Sequence, residues 1–264
     1  MYRLAYSVHP GQGPYLLLVH GFLSSASQWQ PNLAALGEVC QPVTAELWGH
    51  GQSPAPPQRD LYSPPAYVRQ FEAIRCELGS EQWFVCGYSL GAGLTARYAY
   101  DHAEHVYGHI MTNSSSGFAD HELAAGWRES AEQSAQAIEQ GGLAAIDRIA
   151  VHPRRAKKLP SSVYNALVHD ARSLDPVGVA NAMRETSPYA SIRDIAHVNP
   201  RPALLCFGTR ERRFQALKDW ALDNMSNLQI VSLDAGHAVN MEDTPGFNTA
   251  VCQFIEQCLI SSTP

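Results

Sequence analysis

This sequence has few charged residues and no long apolar run. Charged residues make up 17% of its 264 residues, and no stretch approaches the roughly 18 consecutive apolar residues that span a bilayer. The N-terminal segment MYRLAYSVHPGQG lacks a basic region followed by an apolar run and a cleavage site. We therefore expect a cytoplasmic protein without a membrane partner.

The patterns that bind nucleic acids and nucleotides are also missing. The 19 basic residues are outnumbered by 25 acidic ones and are scattered, so no basic stripe follows a phosphate backbone. No G-K-[ST] motif occurs. Residues 91–96 match G-x-G-x-x-A, but they stand three residues beyond the preceding strand, and no acidic residue closes the next one. We expect no nucleic-acid partner and no cofactor.

Cysteine and histidine patterns give no sign of a disulfide framework or a metal site. The six cysteines form no C-x-x-C pair and mostly lie in apolar runs, which predicts reduced core thiols. His102, His105 and His109 have ligand-like spacing, yet they span a helix end and the next strand without an acidic or Cys companion in register. We expect no metal.

Short apolar runs bounded by Gly, Pro, Asn or Asp predict buried strands. These runs are residues 15–19, 42–47, 83–87, 108–113, 203–208 and 228–233, with an antiparallel edge strand at 3–8. Helical patterns occupy residues 27–36, 66–78, 90–102, 215–224 and 245–258. The alternation predicts an α/β fold, a mostly parallel sheet with helices on both faces.

Residues 117–197 interrupt this alternation because they carry only helical patterns. One helical face holds residues 123, 127, 130 or 131, 134 and 138, and further helices are predicted at 143–151, 161–171 and 176–186. We predict a helical cap over 117–197, inserted into a core made of 1–116 and 198–264. The alternative is an ordinary helical layer with long loops.

The strongest chemical signal is Gly87-Tyr88-Ser89-Leu90-Gly91, between a buried strand and a helical pattern. A serine on a sharp strand-to-helix turn presents its hydroxyl above the sheet, and flanking glycines let the backbones pass closely. We predict Ser89 as a nucleophile.

A nucleophilic serine needs a base, and the base needs an acid that holds its tautomer. His237 follows the last predicted strand in a turn of small residues, where it can act as the base. Glu211 follows the preceding strand, and the order Ser, acid, His is typical of doubly wound hydrolases. Asp120 and Asp234 remain alternative acids.

Two backbone amides are expected to hold an oxyanion. One is Leu90, the residue after the nucleophile, and the other is Phe22 in the glycine-containing turn after the strand at 15–19. We interpret His20 in that turn as structural. Tyr88 beside the nucleophile, and Trp127 and Arg128 in the cap, are candidate substrate contacts.

These motifs together resemble the α/β-hydrolase superfamily over almost the whole chain. The matching landmarks, in order, are LLLVHGF, ELWGHGQS at residues 46–53, GYSLG, GTRERRF and AGH. The resemblance implies an eight-stranded, mostly parallel sheet with a helical cap inserted after the sixth strand.

Within the superfamily the chain is similar to the MenH-type (SHCHC synthase) and small carboxylesterase branch. GYSLG, Trp127-Arg128 and GTRERRFQAL carry this resemblance. The MenH type implies a triad that abstracts a proton and eliminates pyruvate. Two positions depart from it: Gly93 stands where that family carries a carboxylate-binding arginine, and Glu211 stands where it usually has Asp.

The residues favour a serine hydrolase of carboxylic esters or thioesters that forms an acyl-enzyme and acts on a small molecule. One alternative is a MenH-type lyase, which a pocket lined by Arg128, Arg154 or Arg172 would favour. Another is a homologue that binds a small ligand without catalysis.

Overall fold

The computed structural model describes residues 2–262, which contain one seven-stranded sheet. The strands are β1 (Tyr6–Val8), β2 (Tyr15–Val19), β3 (Gln41–Ala45), β4 (Trp83–Gly87), β5 (Val106–Thr112), β6 (Ala203–Gly208) and β7 (Leu228–Leu233). Their order in the sheet is β1-β3-β2-β4-β5-β6-β7. Strand β1 is antiparallel to β3, and every other neighbouring pair is parallel.

The expectation of eight strands is wrong in its count, since residues 2–262 hold seven. The helical segment between β5 and β6 consequently follows the fifth strand, not the sixth. The predicted edge strand at 3–8 is confirmed as antiparallel but shortens to Tyr6–Val8.

Helices cover the sheet and fill the segment between β5 and β6. They are α1 (Gln30–Leu36), α2 (Pro64–Glu77), α3 (Leu90–Asp101), α4 (His121–Ile146), α5 (Ser161–Asp170), α6 (Pro176–Glu185), α7 (Gln215–Asn224), α8 (Val239–Glu242) and α9 (Thr244–Ser262). The helix predicted at 143–151 is shorter than expected, because the backbone leaves helical geometry at Gly142 and the helical turn that resumes after this kink ends at Ile146. No helix within residues 2–262 is long and apolar enough to cross a bilayer.

Alternating side chains explain why the central strands are apolar throughout. On β2, Leu16 and Leu18 pack on one face of the sheet, in a cluster that includes residues of α1 and α9. Leu17 and Val19 pack on the other face, in a cluster that includes residues of α2 and α3. Both faces are buried, so a strand in this position has no polar alternation.

The segment between β5 and β6 is joined to itself and to the sheet. Its two ends meet where the Ile192 amide donates to the Gly117 carbonyl oxygen at 2.9 Å. The Arg184 guanidinium of α6 binds two carboxylates of α4, with 2.8 Å to Glu132 and 2.6 Å to Glu139. This bidentate contact sets the packing of α6 against α4.

Acid destabilisation of the fold is expected to involve His109, which is buried on β5. Its Nε2 lies 3.0 Å from Asn199 Oδ1, and burial lowers its pKa to about 4 from an ordinary 6.5. The unfolded chain binds this proton at a higher pH, so stability falls as pH drops from about 6.5 toward 4. Urea unfolding of His109→Gln should show a decrease in unfolding free energy between pH 7 and pH 5 that is smaller than in the wild type by about 1–2 kcal/mol.

His197→Gln is the control for that measurement, because His197 is exposed. Its pH dependence should match the wild type. An unchanged pH dependence in His109→Gln would contradict the role of His109.

Candidate active site

Ser89 occupies a strained turn between β4 and α3. Its φ of 53° and ψ of −114° lie in a region that side-chain-bearing residues seldom adopt. A β-carbon on Gly87 would collide with the Gly91 carbonyl, which explains the need for glycine there. The end of β5 supports the turn, because the Ser89 amide donates to Thr112 Oγ1 at 3.2 Å and Ser114 Oγ donates to the Ser89 carbonyl at 2.6 Å.

Three predicted residues come together at this turn. His237 Nε2 lies 2.9 Å from Ser89 Oγ, and His237 Nδ1 lies 3.0 Å from each carboxylate oxygen of Glu211. Ser89 follows β4, Glu211 follows β6 and His237 follows β7. Parallel strands end at one edge of the sheet, so residues distant in sequence meet there.

Asn113 orients the Glu211 carboxylate, and sequence reasoning did not identify it. This buried residue donates to Glu211 Oε2 at 2.7 Å and accepts from the Gly208 amide at 3.0 Å. Burial alone would raise the pKa of Glu211, but contacts with His237 and Asn113 lower it below its usual value. The carboxylate is therefore ionised at neutral pH, as the partner of an imidazole N–H must be. A polar residue closing a central strand was the available signal.

The two alternative acids lie elsewhere in the structure. Asp120 is the N-cap of α4 and accepts from the Leu123 amide at 2.8 Å. Asp234 is 82% exposed and pairs with Arg210 at 3.3 Å. Neither carboxylate contacts His237.

The turn after β2 lies beside Ser89. Phe22 and Leu90 both line the cavity that contains Ser89, and neither backbone amide has an acceptor among residues 2–262. His20 is fully buried in this turn, and its Nε2 lies 3.0 Å from both the Leu47 amide and Glu46 Oε2. These contacts link the turn to the chain after β3.

A second buried histidine, His50, binds the backbone of Leu23 in the same turn. His50 Nε2 accepts from the Leu23 amide at 3.2 Å, and its Nδ1 lies 2.9 Å from the Trp48 carbonyl oxygen. Burial, together with the nearby His20, lowers the pKa of His50 to about 3. A neutral imidazole is needed, because a nitrogen that carries a proton cannot accept from an amide.

Glu242 binds the backbone of the loop that carries His237, and sequence reasoning did not identify it. Its carboxylate accepts from the amides on both sides of the histidine, Gly236 at 2.9 Å and Ala238 at 3.4 Å. Arg210 binds the same carboxylate at 2.7 Å. No sequence pattern marks Glu242, because its role depends on how α8 folds back on the loop.

A cavity of about 880 Å³ opens over Ser89. Tyr88 and Trp127 line it as predicted, and Trp127 shares this wall with the residues one turn along α4, Ser130 and Ala131. Burial raises the pKa of the Tyr88 hydroxyl, so this group stays neutral.

Arg128 lies outside the cavity. Its guanidinium is 5.7 Å from the centre of the Tyr189 ring and donates to the Pro188 carbonyl at 3.4 Å. Arg172 is also absent from the cavity wall, and Arg154 lines a neighbouring cleft instead.

The histidines with ligand-like spacing do not converge. His102 and His105 lie 4.0 and 3.9 Å from the Glu72 carboxylate, whereas His109 contacts Asn199. Within residues 2–262 no group of three or more His, Cys, Asp or Glu side chains has the arrangement of a metal site.

Comparison with known proteins identifies the class. A family model described as alpha/beta hydrolase fold matches residues 14–244. The match covers most of the chain, which therefore belongs to the alpha/beta hydrolase family.

Individual relatives are more distant. An uncharacterized protein of Mycobacterium tuberculosis is 34% identical over 99 residues, which are 38% of this chain and only 28% of that relative's length. The 2-succinyl-6-hydroxy-2,4-cyclohexadiene-1-carboxylate synthase of Salmonella arizonae is 24% identical over 93% of this chain and 96% of its own. The solved structure of MenH from S. aureus superposes with a TM-score of 0.83 at 16% identity, covering 96% of this chain and 98% of that one.

The structural likeness at this identity shows the fold. Shorter matches include proteins named as an esterase, a dehalogenase and an epoxide hydrolase. The alpha/beta hydrolase fold family to which the chain belongs thus contains several kinds of enzyme.

Replacing Glu242 should loosen His237 without touching the Ser89 turn. Glu242→Ala leaves the two flanking amides without their acceptor, and we expect covalent labelling of Ser89 by a fluorophosphonate to slow by about tenfold, given roughly 1–3 kcal/mol for leaving buried donors unpaired. Asp234→Asn is the control, since the exposed Asp234 contacts only Arg210. Equal labelling rates in both variants would refute the role of Glu242.

Proposed function

We propose that this protein hydrolyses carboxylic esters or thioesters of small molecules through an acyl-enzyme formed on Ser89. The observation that carries the proposal is the continuous hydrogen-bonded chain from Glu211 through His237 to Ser89. It opens into a cavity large enough for a small substrate. The reaction needs water as its second substrate and no cofactor.

In the proposed acylation, His237 takes the proton of Ser89 as Oγ attacks the substrate carbonyl carbon. The 2.9 Å separation of Nε2 and Oγ suits direct proton transfer. Glu211 accepts the N–H of Nδ1, which leaves Nε2 free to accept a proton and stabilises the imidazolium that forms. His237 then returns the proton to the departing alcohol or thiol, and water releases the acid by the reverse sequence.

The negative charge that develops on the carbonyl oxygen needs donors that are already in position. We propose the amides of Phe22 and Leu90 for this role. Their lack of protein acceptors supports it, as does the buried anchoring of the turn by His20 and His50. Because these donors do not reorganise during the reaction, they stabilise the transition state more than the ground state.

We propose that the helical segment 117–197 acts as the cap that shapes the substrate pocket. Several of its side chains, including Trp127, Leu159 and Met183, line the cavity over Ser89. Most of these walls are apolar, which favours an apolar acyl or alcohol group next to the reacting carbonyl.

Substitution of the proposed nucleophile and acid tests the mechanism. Ser89→Ala should abolish labelling by a fluorophosphonate and the burst with an activated aryl ester. Glu211→Gln should slow single-turnover acylation by about 10³–10⁴-fold, because the imidazole loses its fixed tautomer and its counter-charge.

Asp120→Asn is the matched control for Glu211→Gln, since asparagine also caps helices and Asp120 lies away from His237. It should acylate at close to the wild-type rate. Near-normal acylation in Glu211→Gln combined with its loss in Asp120→Asn would overturn the assignment of the acid.

A MenH-type elimination is the second candidate, and the synthase relative that aligns over 93% of this chain favours it. The position at which the MenH type carries a carboxylate-binding arginine weighs against it, because Gly93 stands there in this chain. A β-carbon on Gly93 would lie 2.6 Å from the Ala190 carbonyl oxygen and 3.0 Å from Gly117 Cα, so the backbone leaves no room for a side chain there.

An assay of both reactions on one preparation separates the candidates. We expect turnover of aryl esters and no pyruvate release from an anionic diene precursor. Pyruvate release that exceeds ester turnover and disappears in Ser89→Ala would favour the lyase. Tight ligand binding without any covalent adduct would indicate a non-catalytic homologue.

A further inference from the structure

The cavity over Ser89 adjoins a second cleft of about 630 Å³. The second cleft is lined by Ala144, Asp147, Arg148, Arg154, Arg155 and Lys157. Arg155 and Lys157 line both spaces, and Lys158 also lines the first. A molecule that reacts at Ser89 and extends past these side chains therefore enters a basic cleft.

The positive charge of this basic cleft is concentrated and is mostly not neutralised by carboxylates, although the net charge of the chain is −6. Arg154 pairs with Asp147 at 3.0 Å. His152 Nε2 lies 3.2 Å from the same carboxylate. The lysines and the other arginines between positions 148 and 158 form no ion pair with any carboxylate of residues 2–262; these are Arg148, Arg155, Lys157 and Lys158. Side chains that repel one another at a cavity rim favour a bound anion.

Among the basic side chains that line both spaces, Arg155 is held in place by backbone contacts. Arg155 Nε donates to the Ile149 carbonyl and its Nη2 to the Arg148 carbonyl, each at 3.3 Å. Lys157 and Lys158 are exposed, so an anion at this point stays in contact with water. Four free cations exceed the one charge of a carboxylate but suit the two charges and three terminal oxygens of a phosphate.

The interior of the cavity has the opposite character. Apart from these basic side chains its lining is mostly apolar, with Trp127, Ile149, Leu167 and Met183 among the residues that share the cavity with Ser89. A substrate that matches both regions has an apolar acyl group inside and a phosphorylated group at the basic rim.

We infer that the preferred substrate is an acyl thioester or ester whose leaving group carries a phosphate, bound by Arg155, Lys157 and Lys158. The inference rests on the proposed function and names the substrate class for the same site. Ser89 Oγ forms a bond to the acyl carbon, the bond from that carbon to the leaving sulfur or oxygen breaks, and His237 protonates the leaving atom. Water then cleaves the acyl-enzyme, so the products are a carboxylic acid and a phosphorylated thiol or alcohol.

Two substrate pairs that differ by one phosphate test the inference. The thioester pair is hexanoyl-pantetheine and hexanoyl-4′-phosphopantetheine, and the ester pair is 1-hexanoyl-glycerol and its 3-phosphate. We expect the phosphorylated member of at least one pair to have a kcat/KM about tenfold higher or more, mainly through a lower KM. This preference should shrink when salt rises from about 0.05 to about 0.5 M.

Charge removal at the rim should reduce the preference. Lys157→Gln/Lys158→Gln should lower the ratio between the paired substrates at least threefold. The control, Arg69→Gln/Arg172→Gln, removes two exposed positive charges that line neither cavity, and it should keep the wild-type ratio.

The outcomes separate this inference from the proposed function. Turnover of the neutral members with a ratio near one in both pairs overturns the phosphate site and leaves the hydrolase standing. An equal loss of the ratio in the control variant also overturns it. Failure of all four substrates, with no fluorophosphonate labelling of Ser89, overturns the proposed function itself. A preference in the thioester pair alone identifies a phosphorylated thiol as the source of the anion, and one in the ester pair alone identifies a phosphorylated alcohol.

Discussion

Parallel pairing brings the carboxyl ends of β4, β6 and β7 to one edge of the sheet, and every feature of the candidate site depends on that arrangement. The side chains of Ser89, Glu211 and His237 come from the three loops that follow these strands. Their mutual distances of 2.9 to 3.0 Å depend on the register of these strands, of which β4 and β6 are buried throughout and β7 is a partly exposed edge strand. A slip of one residue in any of these strands would move the loop that follows it by about 3.3 Å, which is enough to break these contacts. The precision of the site thus originates in the apolar packing beneath it.

The parts of this arrangement that depend on local patterns could be predicted from the sequence. Continuous apolar runs identified six strands, and the glycines around Ser89 identified the strained turn. Each of these signals is contained within a few consecutive residues, so the sequence alone is enough to find it. The order of the motifs along the chain favoured His237 and Glu211 but left Asp120 and Asp234 as alternative acids. The contribution of Asn113 could not be found in this way, since its amide reaches Glu211 only when β5 and β6 are neighbours. Glu242 was missed because its contacts with the His237 loop depend on how α8 folds back on that loop.

The helical segment between β5 and β6 was the least predictable region. Periodicity placed Trp127 correctly on the cavity wall, but Arg128, one residue further along α4, points to Tyr189 instead. A change of one residue rotates a side chain by about 100° around a helix, so small errors in phase decide which residues face a substrate. The helix predicted at 143–151 begins after the kink at Gly142 but ends at Ile146, where turns follow. The basic side chains of that irregular stretch stand close together in the sequence, as Arg154-Arg155 and Lys157-Lys158, but only the folded chain shows that they line a cleft beside the cavity of Ser89.

Asn113 has a consequence for how this enzyme family member can change over evolutionary time. Its amide group bonds to the backbone of Gly208 as well as to Glu211, so the carboxylate is tied to the sheet and depends less on the surface loop in which it lies. The arginines that surround Glu211 are exposed and make no contact with His237. Mutations can therefore accumulate in that loop, and alter the charge that Arg213 brings to the cavity, while the buried anchor keeps the Glu211 carboxylate in place. The lining of the cavity could thus change in descendants of this protein without loss of the hydrogen-bonded centre that we propose as the active site.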